Sequence, residues 1–483
     1  MAFCVQVGPH RLTAQPGQLL LDCLRDAGLA PEAPCGGQGT CGKCVVRVNG
    51  EQVRSCAYRV TSDIVAVLPR SGSPEILASG KSAGGKNTPL REGWRLACDI
   101  GTTTVVCSLM DPEGREAAVS SMLNPQRCFG ADVVSRIRCA LASDMEAMTG
   151  AIRKAVETLV RDCCRQAGIV PEQIGVVSIV GNSCMRQLFL GLTPENLVRI
   201  PFGIKPETST VADASAYISC CTGALMPLPA DISAYLGTDT LACILASGLR
   251  ERADTVLLVD IGTNGEMVLS HRGRMIACAT AAGPALEGAN ISRGMGGCAG
   301  AIDHVYPDGF TVIGGGEETG ICGSGIVDAV AVMLRNGVLN SRGRVLTEDH
   351  SWHISPRVSL TQEDIRQVQL AKGAVAAGIY LMCEHLGITP GQIDRCILAG
   401  AFGTYMDPDS ACRIGLLPEE LAGKVESIGN GALAGAKLLA GDRELLQQAE
   451  ALAKTVTVLE LASLPGFRRS FAGAMGFREE ENG

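Results

Sequence analysis

One motif occurs twice in this chain, in step with a second repeated pair, and that duplication limits the possible fold more than any other feature. Asp99-Ile-Gly-Thr-Thr-Thr-Val-Val returns as Asp260-Ile-Gly-Thr-Asn-Gly-Glu-Met-Val 161 residues later. Gly168-Ile-Val-Pro-Glu-Gln-Ile returns as Gly387-Ile-Thr-Pro-Gly-Gln-Ile 219 residues later. Each copy of the second echo follows a helical pattern and precedes a strand that ends in glycine. In the first, Ile152, Val156, Leu159, Val160 and Cys163 share a helical face, Gly168 stands at the C-cap, and a strand over 176–180 runs into Gly181. In the second, Thr361 caps a helix over 363–386 with Asp364 completing a capping box, and a strand over 396–399 runs into Gly400. The unequal spacings predict two halves with the same order of parts, the second carrying about 58 extra residues within 290–350.

An Asp at the end of a strand can hold a hydrated cation, and the Gly-Thr turn after it offers amides and hydroxyls to phosphate oxygens. Two such turns facing each other would clamp a triphosphate from both sides. From 95 to about 480 the chain resembles the acetate-kinase, sugar-kinase, Hsp70 and actin superfamily. The resemblance makes Asp99, Gly101, Thr102, Thr103 and Thr104 the first phosphate motif and Asp260, Gly262, Thr263 and Asn264 the second. Leu398-Ala-Gly-Ala-Phe-Gly403 matches the adenosine motif through Gly400, Ala401 and Gly403, and the segments at Gly181-Asn182 and 429–435 match the hinge-forming connections. Asp99 and Asp260 are expected to hold the hydrated Mg²⁺ of ATP and to orient the attacking water, with Thr102, Thr103, Thr263 and Asn264 on phosphate oxygens. Gly323 and Gly325 either line the nucleotide cleft or a lobe contact, or serve as a structural turn. Glu266 reads as an exposed strand carboxylate, and the six histidines show no metal spacing.

Of 22 cysteines, 18 are scattered singly or in doublets and read as buried, reduced thiols. Cys35, Cys41, Cys44 and Cys56 are different: C-x5-C-x2-C-x11-C, threaded with Gly36, Gly37, Gly39 and Gly42, is short enough to gather four thiolates around iron. Zinc is the rival reading, although its sites usually come as two separated pairs. Strands at 3–7 and 45–48 and a helix at 19–27 complete a likeness to plant-type and adrenodoxin-type ferredoxins, whose β-grasp domain holds a 2Fe–2S cluster. The gap to the fourth cysteine is closer to that in the iron–sulfur subunits of molybdenum hydroxylases.

The predicted organisation is a β-grasp ferredoxin-like domain at 1–69, a flexible linker at 70–93, and a duplicated α/β actin-like (ribonuclease H-like) ATPase at 94–483. Its lobes would span about 94–235 and 236–440, with 441–483 packing back. Further motifs narrow the choice: Asn124-Pro-Gln126, Gly130-Ala-Asp-Val-Val-Ser-Arg-Ile137, Gly181-Asn-Ser-Cys-Met185, Gly320-Ile-Cys-Gly-Ser-Gly325 and Gln369-Leu-Ala-Lys-Gly373. With these the whole chain resembles the reductive activators of corrinoid-dependent methyltransferases and corrinoid iron–sulfur proteins. The resemblance implies ATP-dependent return of a cobalt(II) corrinoid protein to cobalt(I), with the corrinoid protein of a methyltransferase system as partner and a separate upstream electron donor. An activator of a radical dehydratase, a small-molecule kinase with an electron-transfer domain and a non-catalytic ATP-binding scaffold are the alternatives. A net charge of −8 argues against nucleic acid, and the apolar run 373–383 is too short for a bilayer, so a cytoplasmic protein is expected. Monomer and homodimer are both left open.

Overall fold

Period-two apolar patterning at the N-terminus builds β1 (Phe3–Val7) and β2 (His10–Ala14), followed by α1 (Leu20–Asp26), β3 (Val45–Val48), β4 (Glu51–Arg54) and β5 (Ile64–Val67). The five strands form one sheet in the order β2-β1-β5-β3-β4, with β1 and β5 parallel. α1 lays Leu20, Cys23 and Leu24 onto Val5, Val46, Val48 and Ile64, which is the expected β-grasp. The computed structural model describes residues 2–31, 33, 35–39, 41, 43–68, 77, 79–81, 87–262 and 264–478. These fall into two units, Met1–Ser71 with Pro89–Leu228 and Gly72–Thr88 with Pro229–Gly483.

The rest of the first unit runs β6 (Trp94–Ile100), β7 (Thr104–Met110), β8 (Glu116–Leu123), α2 (Val133–Cys139), α3 (Met145–Ala167), β9 (Ile174–Gly181), α4 (Ser183–Leu190), β10 (Thr210–Asp213) and β11 (Leu225–Leu228). Its sheet order is β10-β11-β9-β6-β7-β8. The second unit begins with α5 (Thr238–Ser247), β12 (Val256–Ile261), β13 (Gly265–His271) and β14 (Arg274–Thr280). β15 (Ala301–Tyr306), β16 (Gly309–Val312), β17 (Gly320–Ile321), α6 (Gly323–Arg335), β18 (Ser351–His353) and β19 (Ser359–Thr361) follow. The chain then forms α7 (Gln362–Leu386), β20 (Arg395–Ala399), α8 (Gly400–Tyr405), α9 (Pro408–Arg413), β21 (Val425–Ser427), α10 (Gly431–Gly441), α11 (Arg443–Thr455), β22 (Thr457–Val458) and α12 (Phe467–Ala474).

The second unit's main sheet is ordered β21-β20-β12-β13-β14-β22. Its core β20-β12-β13-β14 repeats β9-β6-β7-β8 strand for strand, one parallel pair followed by two antiparallel ones. The duplicated motifs therefore close equivalent strands, β6 and β12, and form the turns that follow. The long helices α3 and α7 also correspond: each ends on a left-handed glycine, Gly168 at φ 69° and Gly387 at φ 67°, where a side chain would be strained. The extra residues expected in the second half are β15 to β19 with α6, and they continue to Thr361.

Parts of the 70–93 segment are paired with the second unit. Lys81 N–H donates to the Ile428 carbonyl at 2.8 Å, Asn430 N–H to Ser79, and Arg443 N–H to Thr88. At the other end of the chain, Lys372 on α7 donates to the carbonyls of Ala474 and Gly476, and Gln369 to that of Met475. Among the described residues no helix is long and apolar enough to cross a membrane.

The N-terminus of α7 is doubly fixed. Thr361 Oγ1 accepts from the Asp364 amide, and the Asp364 carboxylate returns to Thr361 N–H at 2.8 Å. The other oxygen of that buried carboxylate takes the Ser292 amide and hydroxyl at 2.7 and 3.0 Å. Thr361→Ala is expected to cost about 1 kcal/mol, the usual value of an N-cap. Asp364→Ala should cost about 2–3 kcal/mol because it removes a buried carboxylate that accepts from both Thr361 and Ser292. Urea unfolding of the two variants measures the difference.

Candidate functional site

The four cysteines of the N-terminal spacing gather in two pairs. Cys35 and Cys41 bring their sulfurs to 3.3 Å, and the Cys56 thiol hydrogen-bonds Cys44. Burial first, then the hydrogen bond and the nearby charge of Cys44, push the Cys56 thiol up to about 11. That thiol resists ionising until a cation joins it, and each iron of a two-iron cluster takes two thiolates. The donor set thus suits the 2Fe–2S group. Lys43 N–H lies 3.5 Å from Cys41 Sγ, and Arg54 holds the loop by donating to the Gly39 carbonyl at 2.9 Å. Gly42 of the expected loop lies outside the described residues. Among the described residues no group of three or more Cys, His, Asp or Glu is arranged to hold a metal ion.

In the first unit, the turn between β6 and β7 is held from behind by side chains. Asn124 Nδ2 donates to the Gly101 carbonyl at 2.8 Å, Asn124 N–H to Thr103 O at 2.8 Å, and Arg136 Nη2 to Thr102 O at 2.6 Å. Asn182, the N-cap of α4, donates to Thr102 Oγ1 at 3.0 Å. Three successive carbonyls are thereby fixed. Thr103 is exposed, Thr102 and Thr104 are half-buried, and Asp99 sits at the end of β6 between Val106 of β7 and Val180 of β9.

In the second unit the corresponding turn is one residue shorter, and this changes its chemistry. Ile100 pairs with Val105, whereas Ile261 pairs with Gly265, so Asp99 faces Val106 but Asp260 faces Glu266. Glu266 is half-buried and not exposed as expected, and its carboxyl is held well above the ordinary range, first by burial, then by the charges of Asp239 and Asp260. Burial likewise raises Asp260 to about 6. Asn264 donates a hydrogen bond to Glu266, and Gly262 N–H donates to the Asn264 carbonyl at 2.8 Å. Thr263 lies outside the described residues. Mg²⁺ is held through one or two carboxylates plus phosphate oxygens while keeping several waters, and Asp260 with Glu266 supplies such donors.

The adenosine-type loop joins this group. Gly400 has φ +82°, and a Cβ there would lie 2.6 Å from Asp260 Oδ1, so only glycine fits beside the carboxylate. Ala401 is exposed, and Gly403 is packed against Leu398. Gly323 opens α6 against the Leu286 carbonyl and the Phe402 ring, which seats that helix end on the same loop. Gly325 is pressed on the Ile302 carbonyl, a close backbone contact within the core. The connecting segment at 429–435 forms the start of α10, whose Gly431 and Gly435 let α5 approach at Cys243 and Ala242. Asp239, in the first turn of α5, and Arg54 and Arg136 were not singled out by sequence reasoning, and Glu266 was read as exposed.

An acid held at about 6 in the folded state and near 3.8 when unfolded opposes folding above pH 6 and is neutral below about 4. Asp260→Asn should therefore stabilise the nucleotide-free protein at pH 8 by roughly 2–3 kcal/mol and leave it nearly unchanged at pH 4. The same substitution should weaken MgATP binding at pH 8. In the wild type that binding should fall as pH drops through about 6. Thermal unfolding and calorimetric titration across this range check both signs.

Three family models meet the chain. Residues 5–68 match the 2Fe-2S iron-sulfur cluster binding domain, 94–252 the RACo middle region, and 254–482 the C-terminal domain of RACo, the ASKHA domain. A curated relative from Eubacterium limosum, the corrinoid activation enzyme RamQ, is 34% identical over 78% of this chain and 69% of its own. A second, from Methanosarcina barkeri, named [Co(II) methylated amine-specific corrinoid protein] reductase, is 26% identical over 75% of this chain and 72% of its own. Among solved structures, a reductive activator for corrinoid, iron-sulfur protein shares the fold, with a TM-score of 0.72 at 24% identity over 99% of both chains. On the strength of the first relative and the paired region models, this chain belongs to the RACo family of corrinoid activation enzymes.

Proposed function

We propose that this protein is an ATP-dependent reductive activator that returns an inactive cobalt(II) corrinoid protein to the cobalt(I) state. One observation carries the reading: a single chain of corrinoid-activator ancestry joins a loop of four paired cysteines to two copies of an Asp-Ile-Gly-Thr turn between paired strands. The functional division follows the sequence: residues 1–69 for electron transfer, 70–93 as connection, and 94–483 as the nucleotide-driven part with lobes at about 94–235 and 236–440.

Cys35, Cys41, Cys44 and Cys56 hold the 2Fe–2S group, which when bound accepts and gives up one electron at low potential. Arg54 and the Lys43 amide fix the loop around it. Taking cobalt(II) corrinoid lower than a plant-type centre near ~−400 mV is uphill, at ~2.3 kcal/mol for each 100 mV. ATP offsets such a gap if the closed, nucleotide-bound form of the protein favours the corrinoid state that accepts the electron. Within the nucleotide site, Asp260 and Glu266 would neutralise the hydrated Mg²⁺, and Asp99 is assigned to the attacking water. Thr102, Thr103, Thr104, Thr263 and Asn264 contact phosphate oxygens, Gly101 and Gly262 allow the turns, and Gly400, Ala401 and Gly403 lie against the adenosine. Gly323 supports that loop from α6, and Gly325 seats the helix. The electron donor upstream is a separate reductase, and the working location is the cytoplasm.

Reduced protein mixed with a cobalt(II) corrinoid protein and MgATP should give the cobalt(I) absorption spectrum, and omitting ATP should prevent it. Cys44→Ser should abolish electron delivery and alter the visible spectrum while the protein still binds nucleotide. Cobalt(I) formation independent of ATP would contradict the reading.

A further inference from the structure

The motif Gly130-Ala-Asp-Val-Val-Ser-Arg-Ile137 and the Asn124-Pro-Gln126 that precedes it belong to one short stretch that touches both chemical centres of the first unit. At one end it holds the phosphate turn. Asn124 donates to Gly101, and the buried Arg136 donates to Thr102 O at 2.6 Å and to Gly130 O at 2.9 Å, while its Nη1 lies 2.9 Å from Met185 Sδ.

At the other end the same stretch meets the cysteine loop. Arg25, on α1, donates to Cys128 O from Nε at 3.1 Å and from Nη2 at 2.6 Å, and the same Nη2 donates to Gly36 O at 3.0 Å. The guanidinium stacks 4.9 Å over the Phe129 ring, pairs with Asp22 at 3.2 Å, and is only 8% exposed. Cys139 Sγ lies 2.8 Å from Phe129 O and 3.7 Å from Gly36 O. Gly36 has φ +67°, and a Cβ on it would come within 2.8 Å of both Cys139 Sγ and Phe129 O. The residue next to Cys35 is thus fitted against this stretch with no room to spare.

We propose that residues 124–139 transmit nucleotide occupancy from the first phosphate turn to the cysteine loop, with Arg136 and Arg25 as the positioning residues at its two ends. This inference rests on the nucleotide-binding reading above. A phosphate drawn into the turn pulls on Gly101, Thr102 and Thr103, whose carbonyls are tied to Asn124 and Arg136. Their displacement moves Cys128 and Phe129, and Arg25 carries the shift to Gly36. A planar guanidinium suits both posts because it can bridge two carbonyls at once, which the point charge of lysine does not reproduce. Contiguity alone does not establish coupling, so the test must read the two ends separately.

Hydrogen–deuterium exchange on the full, cluster-loaded chain does so, with Mg²⁺ and the non-hydrolysable imido analogue of ATP as the probe. In the wild type the analogue should slow exchange at 99–104 and change the rate of the peptide spanning 33–44 by about fivefold or more, the lower end of ordinary coupling. In Arg25→Lys, protection at 99–104 and exchange across β1 to β5 should match the wild type, while the response at 33–44 disappears. Arg136→Lys should lose the same response, and if that buried substitution unfolds the unit, Arg25→Lys decides the matter. Protection at 99–104 with an unchanged 33–44 peptide in the wild type overturns the relay alone, as does a full response at 33–44 in Arg25→Lys. No protection at 99–104 overturns the nucleotide reading and the relay with it.

Discussion

Carboxyl groups enclosed together cannot all remain charged unless something positive joins them, and the second unit depends on that fact. Asp260 and Glu266 face each other across β12 and β13, with the charge of Asp239 also acting on Glu266. Burial raises both, and the charges of Asp239 and Asp260 raise Glu266 further. The sheet, the glycine at Gly400 and the packing of α5 keep these groups in place at a cost to the stability of the empty protein. On the proposed function, nucleotide-bound Mg²⁺ would remove that cost, and the strain built into the fold would become affinity for the cation. The two copies have diverged in this respect, since Val106 stands where the second copy has Glu266. The first turn instead has its carbonyls tied from behind by Asn124 and Arg136.

The cysteine loop is governed by the same physics with the opposite charge balance. Burial and the neighbouring Cys44 hold the Cys56 thiol at about 11, so its proton is kept until a metal ion replaces it. Around the cysteines, Arg54 and Arg25 spend their hydrogen bonds on backbone carbonyls of the loop at Gly39 and Gly36. These arginines therefore shape the loop while remaining cationic beside it, which suits a site that must hold thiolates.

Features carried by local spacing were legible in the sequence. Four cysteines within 22 residues, the capping box at Thr361 and Asp364, the left-handed glycines after α3 and α7, and the strand–turn–strand repeat all express themselves over one or two turns of chain. The partner of Asp260 was within reach but missed, because it follows from the length of the turn: with Ile261 pairing to Gly265, Glu266 must face Asp260. Treating Glu266 as an isolated strand residue discarded that register. The contacts of Arg136 with Thr102 and of Arg25 with Cys128 span 34 and 103 residues, and no periodicity encodes them. They depend on how separately legible elements pack, which is information a single sequence does not display.

On the proposed function, nucleotide changes which cobalt state is favoured at a given electron potential. A spectroelectrochemical titration of the corrinoid partner mixed with this protein tests it directly. With the solution poised at the potential of the iron–sulfur centre, adding MgATP should raise the cobalt(I) fraction well above the value set by that potential alone. A cobalt(I) fraction that follows the applied potential identically with and without MgATP would contradict it.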